Sequence, residues 1–485
     1  MKLILDGDIN RIYVQNLCMM FFHGEKFPEN EENPNGRVYI KLNESEEGVE
    51  CFCSFTYKGN MVNKTSFVRY DECETTKRTI KIAIGKAVYS AGKELTGRDI
   101  PWGIMTGIRP SKVGAELLSK YTYDESFKIL MDRYLLSEDK ARLTLDVAIN
   151  EASILKKYDD NTCSLYVSIP FCPTRCSYCS FISYATKKLF DLIPSYLEKL
   201  KREIEEKASI IKRLNLKIVS VYIGGGTPTT LNEEQLADLL KAISENIETD
   251  SLDEYTVECG RPDTITQNKF DILKNYGVKR ISVNPQTLND EVLRKIGRNH
   301  SVDDFLSAYK LARQSSIGII NTDLIAGLDG DNFESFKNTV DNIIQLNPDN
   351  ITVHSFSVKK SARILENDSQ IYTKNGDYAV KSVEYAYKSL IENGYLPYYM
   401  YRQKNTVSDL ENVGYAKKGT FGIYNVLMMS DSHTVFSAGA GATTKLVRKN
   451  GEGCDIYRIF SPKYPYEYLE ASQTNEIEIF NFFNN

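Results

Sequence analysis

Three cysteines stand close together in the run Phe171-Cys172-Pro173-Thr174-Arg175-Cys176-Ser177-Tyr178-Cys179, spaced C-x3-C-x2-C. Thiolates are soft ligands, and three on one loop can hold three irons of a four-iron, four-sulfur cube. The fourth iron is then open to an exogenous ligand, which a purely electron-carrying cluster with four cysteines lacks. A structural zinc site normally takes a fourth protein ligand. Cys163 lies on the wrong side of the preceding strand to provide one easily. Zinc and three incidental buried cysteines are the plainer alternatives.

A second group follows downstream. Tyr222-Ile223-Gly224-Gly225-Gly226-Thr227-Pro228-Thr229 closes a β-like run, and glycines let the main chain approach a ligand closely. Further polar residues fall at the ends of later runs: Thr256-Val257-Glu258-Cys259-Gly260-Arg261-Pro262, Ile281-Ser282-Val283-Asn284-Pro285-Gln286-Thr287, Ile296-Gly297-Arg298-Asn299-His300 and Asn321-Thr322-Asp323-Leu324-Ile325. Carboxylates accept hydroxyl and ammonium protons, and an arginine pairs with a carboxylate. His300, His354 and His433 are scattered and read as satisfied polar residues rather than ligands.

The elements that must position these groups read as strand, turn and long helix, repeated. Strands are expected over 165–169, 218–223, 254–258, 280–284, 318–325 and 351–355, and helices over 189–213, 233–247, 266–275, 290–315, 333–346 and 377–393. Strands alternating with helices imply parallel βαβ units with right-handed crossovers. Six repeats are too few for a closed eightfold barrel and suit a partial one, an α/β fold with its site at the strand C-terminal ends. Residues 1–158 read as an α+β accessory domain, with a hairpin over 37–42 and 49–57 and helices after residue 75. The partial barrel is expected over 159–393. Residues 394–485, rich in Tyr and Gly with short β-like runs, read as a C-terminal α/β appendage covering the substrate.

Composition narrows the partners. Of 485 residues, 42% are hydrophobic and 26% charged, ordinary values for a globular protein. A net charge of −5 argues against nucleic acid as the main ligand. No stretch approaches the ~20 apolar residues of a membrane span, and acids break the N-terminus too early for a signal peptide. A cytoplasmic setting is therefore expected, where the 10 cysteines serve metal or redox chemistry before disulfides.

Over most of residues 163–445 the cysteine spacing, the Gly-Gly-Gly-Thr-Pro run and the strand-end residues resemble the radical S-adenosylmethionine (SAM) superfamily. Within it the sequence is similar to the oxygen-independent coproporphyrinogen III oxidase family. The runs 398–405, 411–415 and 439–445, with Trp102-Gly103-Ile104-Met105-Thr106-Gly107-Ile108-Arg109-Pro110, resemble its HemZ branch. The resemblance implies one 4Fe-4S cluster on Cys172, Cys176 and Cys179, and one or two SAM molecules. It implies SAM contacts from Tyr166, Gly225, Gly226, Thr227, Glu258, Gln286, Arg298 and Asp323, with Tyr178 beside a second SAM. The implied activity is oxidative decarboxylation of coproporphyrinogen III to protoporphyrinogen IX, a step of haem biosynthesis supplied with electrons by an unidentified donor. Arg175, Arg261, Arg402 and Lys404 are the candidate partners of the tetrapyrrole's propionates, and Tyr395, Tyr398, Tyr399 and Tyr401 its candidate apolar walls. One position departs from the pattern. The decarboxylating branch has a further cysteine two residues after the third, where this chain has Phe181. The related haem-chaperone branch shares that replacement, so a haem-binding protein that keeps the cluster is the alternative, beside another radical SAM reaction on a tetrapyrrole.

Overall fold

The structure, a computed structural model, describes all residues except 23–24, 29–33, 71–74, 180–185, 358–375, 404–409, 452, 473–474 and 485. Phe181 and Lys404 therefore lie outside the described residues. The chain forms two compact units. The first is built from Met1–Ile149 with later segments that include Met400–Asp409, and the second from Asn150–Ile371, Asn375–Tyr399 and Leu410–Asn485.

The first unit has a four-stranded sheet in the order β1 (Lys2–Asp6), β2 (Gly36–Glu44), β3 (Gly48–Tyr57), β4 (Asn60–Arg69). The expected hairpin is β2–β3, with Leu42 opposite Cys51 and Ile40 opposite Cys53. Its alternation buries Val38, Ile40, Cys51, Cys53 and Phe55. Helices Arg11–Phe21 and Thr76–Thr96 bring further apolar residues, among them Cys18 and Ile82. Burial pushes the Cys51 thiol up to about 12, so it packs as a small apolar group. The Trp102 loop is buried here too. Lys140 and Arg402 lie over the Trp102 ring, 5.8 and 5.1 Å from its centroid.

The second unit is organised by one sheet. Its centre is six parallel strands: β5 (Thr162–Ile169), β6 (Lys217–Gly225), β7 (Glu254–Glu258), β8 (Arg280–Ser282), β9 (Ile319–Ala326) and β10 (Asn350–Ser355). They lie side by side in sequence order, as successive right-handed βαβ units require. Buried Leu165, Val221, Val257, Ile281, Leu324 and Val353 give the sheet its core. Helices start where a side chain can cap them. Asn232, Thr266, Asn289, Ser301 and Asn332 each accept a first-turn backbone N–H, and Asn232 and Ser301 form reciprocal boxes with Gln235 and Asp304.

Two differences from the sequence reading matter for the site. The helix expected over 290–315 is two helices, Asp290–Lys295 and Val302–Gln314, because Gly297 adopts φ +78° between them. Residues 394–485 do not stand apart from the sheet. β11 (Leu396–Arg402) and β12 (Glu411–Ala416) extend it beyond β10, with β12 antiparallel to β10. β13 (Thr434–Ala438), β14 (Thr443–Asn450) and β15 (Gly453–Phe460) extend it beyond β5, with β13 parallel to β5. Both margins of the parallel core are thereby paired rather than left as open hydrogen-bonding edges. Helix Ile193–Arg213 helps hold this outer region, where Glu203 accepts from the Gly439 N–H at 2.9 Å and the Tyr468 hydroxyl at 2.6 Å.

Candidate functional site

The cysteine loop leaves the C-terminal end of β5 and is stitched to its neighbours by main-chain bonds. Gly226 N–H donates to the Ile169 carbonyl (2.7 Å) and Thr227 N–H to the Phe171 carbonyl (2.8 Å). This close seating explains the glycine run. A Cβ on Gly226 would lie 2.6 Å from the Phe171 carbonyl oxygen, and one on Gly224 would meet the Glu258 carboxyl at 2.8 Å. Gly225 sits at φ +105°, a conformation open to glycine. On its other side the loop leans on the turn between the split helices. Ser177 N–H donates to the Ile296 carbonyl (2.9 Å) and the Thr174 hydroxyl to that of Gly297 (3.2 Å).

Cys172 and Cys176 are buried and Cys179 half-buried. The Cys172 sulfur lies 3.3 Å from the Thr227 hydroxyl. The Cys176 sulfur lies 3.6 Å from Nη1 of Arg261. No three His, Cys, Asp or Glu side chains among the described residues close on a single ion. Cys163 is buried in β5 opposite Ile218, and Cys259 is buried beyond β7 with its thiol pushed up by burial.

Carboxylates, an amide and tyrosines occupy the adjoining strand ends. Glu258, the last residue of β7, accepts from the Tyr222 hydroxyl at 2.7 Å and from the Gly225 N–H. Burial pushes its carboxyl up to about 7, with Asp323 adding to the rise and the Tyr222 bond opposing it. Asp323 on β9 accepts from the Asn284 side-chain amide (2.8 Å) and from that of Asn321 (2.8 Å), and His354 Nε2 lies 4.0 Å away. Gln286 is buried at φ +68°, in the left-handed region that costs a side-chain-bearing residue energy. Its main chain is tied to β9 on both sides, with Gln286 N–H donating to Asp323 and Ile325 N–H donating to Gln286. Its side-chain oxygen is buried with no hydrogen-bond partner, as are the Ser177 hydroxyl and both ring nitrogens of His300. Buried polar atoms are rarely left in that state, and these lie beside the thiols and the glycine turn.

Tyr166, Tyr222 and Tyr424 stack beside Glu258, with ring centroids 4.5 Å apart for Tyr222–Tyr424 and 6.1 Å for Tyr166–Tyr424. Arg298 is buried and donates to the carbonyls of Gly260 (3.0 Å) and Asn284 (2.8 Å), with its Nε 3.4 Å from the Tyr178 hydroxyl. It thus clasps two strand ends and the cysteine loop. His300 beside it is held neutral, its pKa pushed down to about 4 by burial and by Arg298 and Arg261.

The candidate propionate partners separate. Arg175 is exposed on the cysteine loop. Arg261 turns inward, forked onto Asp263 at 3.0 and 3.1 Å, and is 3% exposed. Arg402 belongs to the first unit, where it donates to the Met105 carbonyl and covers Trp102. Tyr395 and Tyr398 are buried packing residues. The Tyr395 hydroxyl donates to the Pro348 carbonyl (2.8 Å) and the Tyr398 ring stacks on Phe421. Asn284, Tyr222 and Tyr424 were not among the expected site residues, whereas His354, expected as a satisfied polar residue, has its Nδ1 3.3 Å from the Asn412 side-chain oxygen. The shared parity of Asn284 and Gln286, two residues apart, was a usable signal. Tyr424 carried none, since only long-range folding brings it here.

Known proteins resemble this chain over much of its length. Residues 166–343 match the family model described as "Radical SAM superfamily". A Bacillus subtilis (strain 168) protein, "Oxygen-independent coproporphyrinogen-III oxidase-like protein HemZ", is 32% identical over 465 residues, covering 94% of this chain and 92% of its own. "Heme chaperone HemW" of Haemophilus influenzae is 30% identical over 317 residues, 64% of this chain and 77% of its own. The solved structure of Escherichia coli coproporphyrinogen III oxidase (HemN), a radical SAM enzyme, aligns at 24% identity with a TM-score of 0.48, covering 61% of this chain and 67% of that one. The family implies a 4Fe-4S cluster and SAM, and the chain's unpartnered Gln286 oxygen, glycine cradle and thiol triplet fit such a pair. With a partial parallel barrel and a near full-length relative, the chain belongs to the radical SAM family of oxygen-independent coproporphyrinogen-III oxidase-like proteins that includes HemZ.

Proposed function

We propose that this chain catalyses oxygen-independent oxidative decarboxylation of coproporphyrinogen III, turning two propionates into vinyl groups. The observation that carries the reading is the joining of the C-x3-C-x2-C loop to Gly225, Glu258, Gln286 and Asp323 at one end of one sheet, in a chain alignable with a HemZ protein along nearly its whole length. Cys172, Cys176 and Cys179 would hold the cluster. Gly225, Gly226, Thr227, Glu258, Gln286, Arg298 and Asp323 would frame SAM, with Tyr166 against it and Tyr178 toward a second molecule. Bound together, cluster and SAM supply a carbon radical able to take an unactivated hydrogen from a propionate β-carbon. The chain's own work is positional. Glu258 and Asp323 accept hydroxyl and ammonium protons, Gln286 offers its unpaired oxygen, and the stacked tyrosines exclude water. Exposed Arg175 on the cysteine loop is the propionate partner this reading retains. A one-electron donor is required, and a cytoplasmic setting suits oxygen-labile iron.

A haem-chaperone role is the second reading, favoured by Phe181 and by the similarity to HemW proteins. One experiment separates the two. The reconstituted protein is incubated anaerobically with SAM, reductant, an electron acceptor and coproporphyrinogen III, and the tetrapyrrole is weighed by mass spectrometry. The oxidase reading expects loss of two CO2 with two SAM consumed. Stoichiometric haem binding without decarboxylated product would replace it with the chaperone reading.

A further inference from the structure

Arg261 is a buried guanidinium that SAM framing leaves unused. Its Nε and Nη2 grip Asp263 at 3.0 and 3.1 Å, and Nη2 also donates to the Thr174 hydroxyl at 2.9 Å. Nη1, left over from that grip, points at the Cys176 sulfur at 3.6 Å and the Thr174 carbonyl at 3.5 Å. The side chain is 4% exposed and Asp263 24%. Arginine stays charged in such a place, so the geometry aims a fixed cation at one thiolate. Thr227 repeats the pattern on a smaller scale, its hydroxyl 3.3 Å from the Cys172 sulfur, where a thiolate can only accept.

We propose that Arg261 is a positioning residue that favours the reduced cluster, through a charge-assisted hydrogen bond to the Cys176 sulfur. The inference rests on Cys176 being a cluster ligand. Adding one electron to the cube increases the negative charge spread over its sulfurs. A donor and cation beside one of them stabilises that charge more than it stabilises the oxidised state, which raises the reduction potential. Asp263 holds the fork in aim and tempers the field. Thr174, which bonds Arg261 and the turn at Gly297, links the aim to the loop itself.

The test is an EPR-monitored redox titration of the reconstituted full chain without SAM, using dithionite as the electron source. Wild type is compared with Arg261→Lys and Arg261→Gln, each checked for iron content. The expected order of potentials is wild type, then Arg261→Lys, then Arg261→Gln as the most negative, with four irons retained. Coincident potentials at full iron content, or a higher potential in Arg261→Gln, would overturn the proposal. If Arg261→Gln fails to assemble iron, Arg261→Lys decides alone: a lower potential supports the role and an unchanged one removes it. Cys176→Ala separates this failure from a failure of the site. If Cys176→Ala keeps four irons, the ligand assignment falls and Arg261 with it. If Cys176→Ala loses the cluster while the arginine series coincides, only the Arg261 inference falls.

Discussion

At the N-terminal end of the parallel strands, Glu254, Arg280 and Asn350 each open a strand, and all three are buried. Arg280 donates to the Asn350 side-chain oxygen (2.6 Å) and to the carbonyls of Thr420 (2.8 Å) and Phe421 (2.9 Å), with Glu254 3.6 Å from its Nε. Glu254 in turn accepts from the Ile423 N–H (2.6 Å). Nearby, Ser164 joins Ser220 (2.6 Å) to His433 (2.9 Å). At the other end of the same strands, Gln286, Ser177 and His300 keep polar atoms buried and unpartnered, and Glu258 is pushed toward its protonated form. One end spends most of its polar groups on locking the later chain to the sheet, although Arg280 Nε, Asn350 Nδ2 and the Tyr255 hydroxyl there are also buried without a hydrogen-bond partner. At the other end the unpartnered atoms lie together with a raised carboxyl and the cysteine loop.

Substitutions can break that contrast. The largest effect belongs to the cysteine loop. Cys172→Ala, Cys176→Ala or Cys179→Ala should abolish four-iron binding, and Cys163→Ala and Cys259→Ala should not, as read by iron and sulfide analysis. Next comes the floor. Arg280→Met strands the buried Glu254 carboxylate and should cost about 3–5 kcal/mol of stability in urea unfolding. Loss of SAM affinity at unchanged stability would contradict the division of labour.

Glu258→Ala and Asp323→Ala belong to the opposite end, and each should weaken SAM binding by about 1.5–3 kcal/mol with iron content intact. Glu258 also carries a pH signature. Its folded pKa of about 7 lies above the ordinary carboxyl value of 4.5, so the ligand-free fold binds an extra proton between them. The stability this contributes is complete below the ordinary value and is lost as pH rises through about 7. Glu258→Gln should flatten the decline between pH 5 and 7, and an identical slope in the variant would refute the assignment. The smallest effect is expected from Ser164→Ala, about 1–3 kcal/mol of stability. Burial and Lys445 hold His433 neutral, its pKa pushed down to about 3, so this loss should be the same at pH 5 and pH 8.

The parallel core was legible because its signals are local. Apolar runs bounded by capping residues gave all six strands, and 254–258 and 333–346 coincide with the observed β7 and helix Phe333–Leu346. The cysteine loop was legible from spacing alone. The split at Gly297 was overlooked although Gly297-Arg298-Asn299-His300-Ser301 interrupts the apolar periodicity and ends on a capping serine; the positive φ there is what brings the turn against the loop. The placing of residues 394–485 was, by contrast, hidden. Which edge a strand joins is decided by pairing across hundreds of residues, and alternation within the strand is the same for either choice. Inward-turned Arg261 and Arg402 show the same limit, since an arginine beside tyrosines reads alike whether it meets a ligand or a carbonyl.

The pairing of β5 with β13 has a consequence for the birth of the protein. The strand that delivers the cysteine loop acquires one neighbour soon, in β6, and the other only after more than half the chain has followed. On the ribosome, β5 therefore waits with one row of N–H and C=O groups unpaired, a template for the wrong partner. A chain halted before residue 434 would present its thiols from a half-supported strand. The cysteine loop therefore gains its full scaffold only when the last third of the polypeptide has arrived.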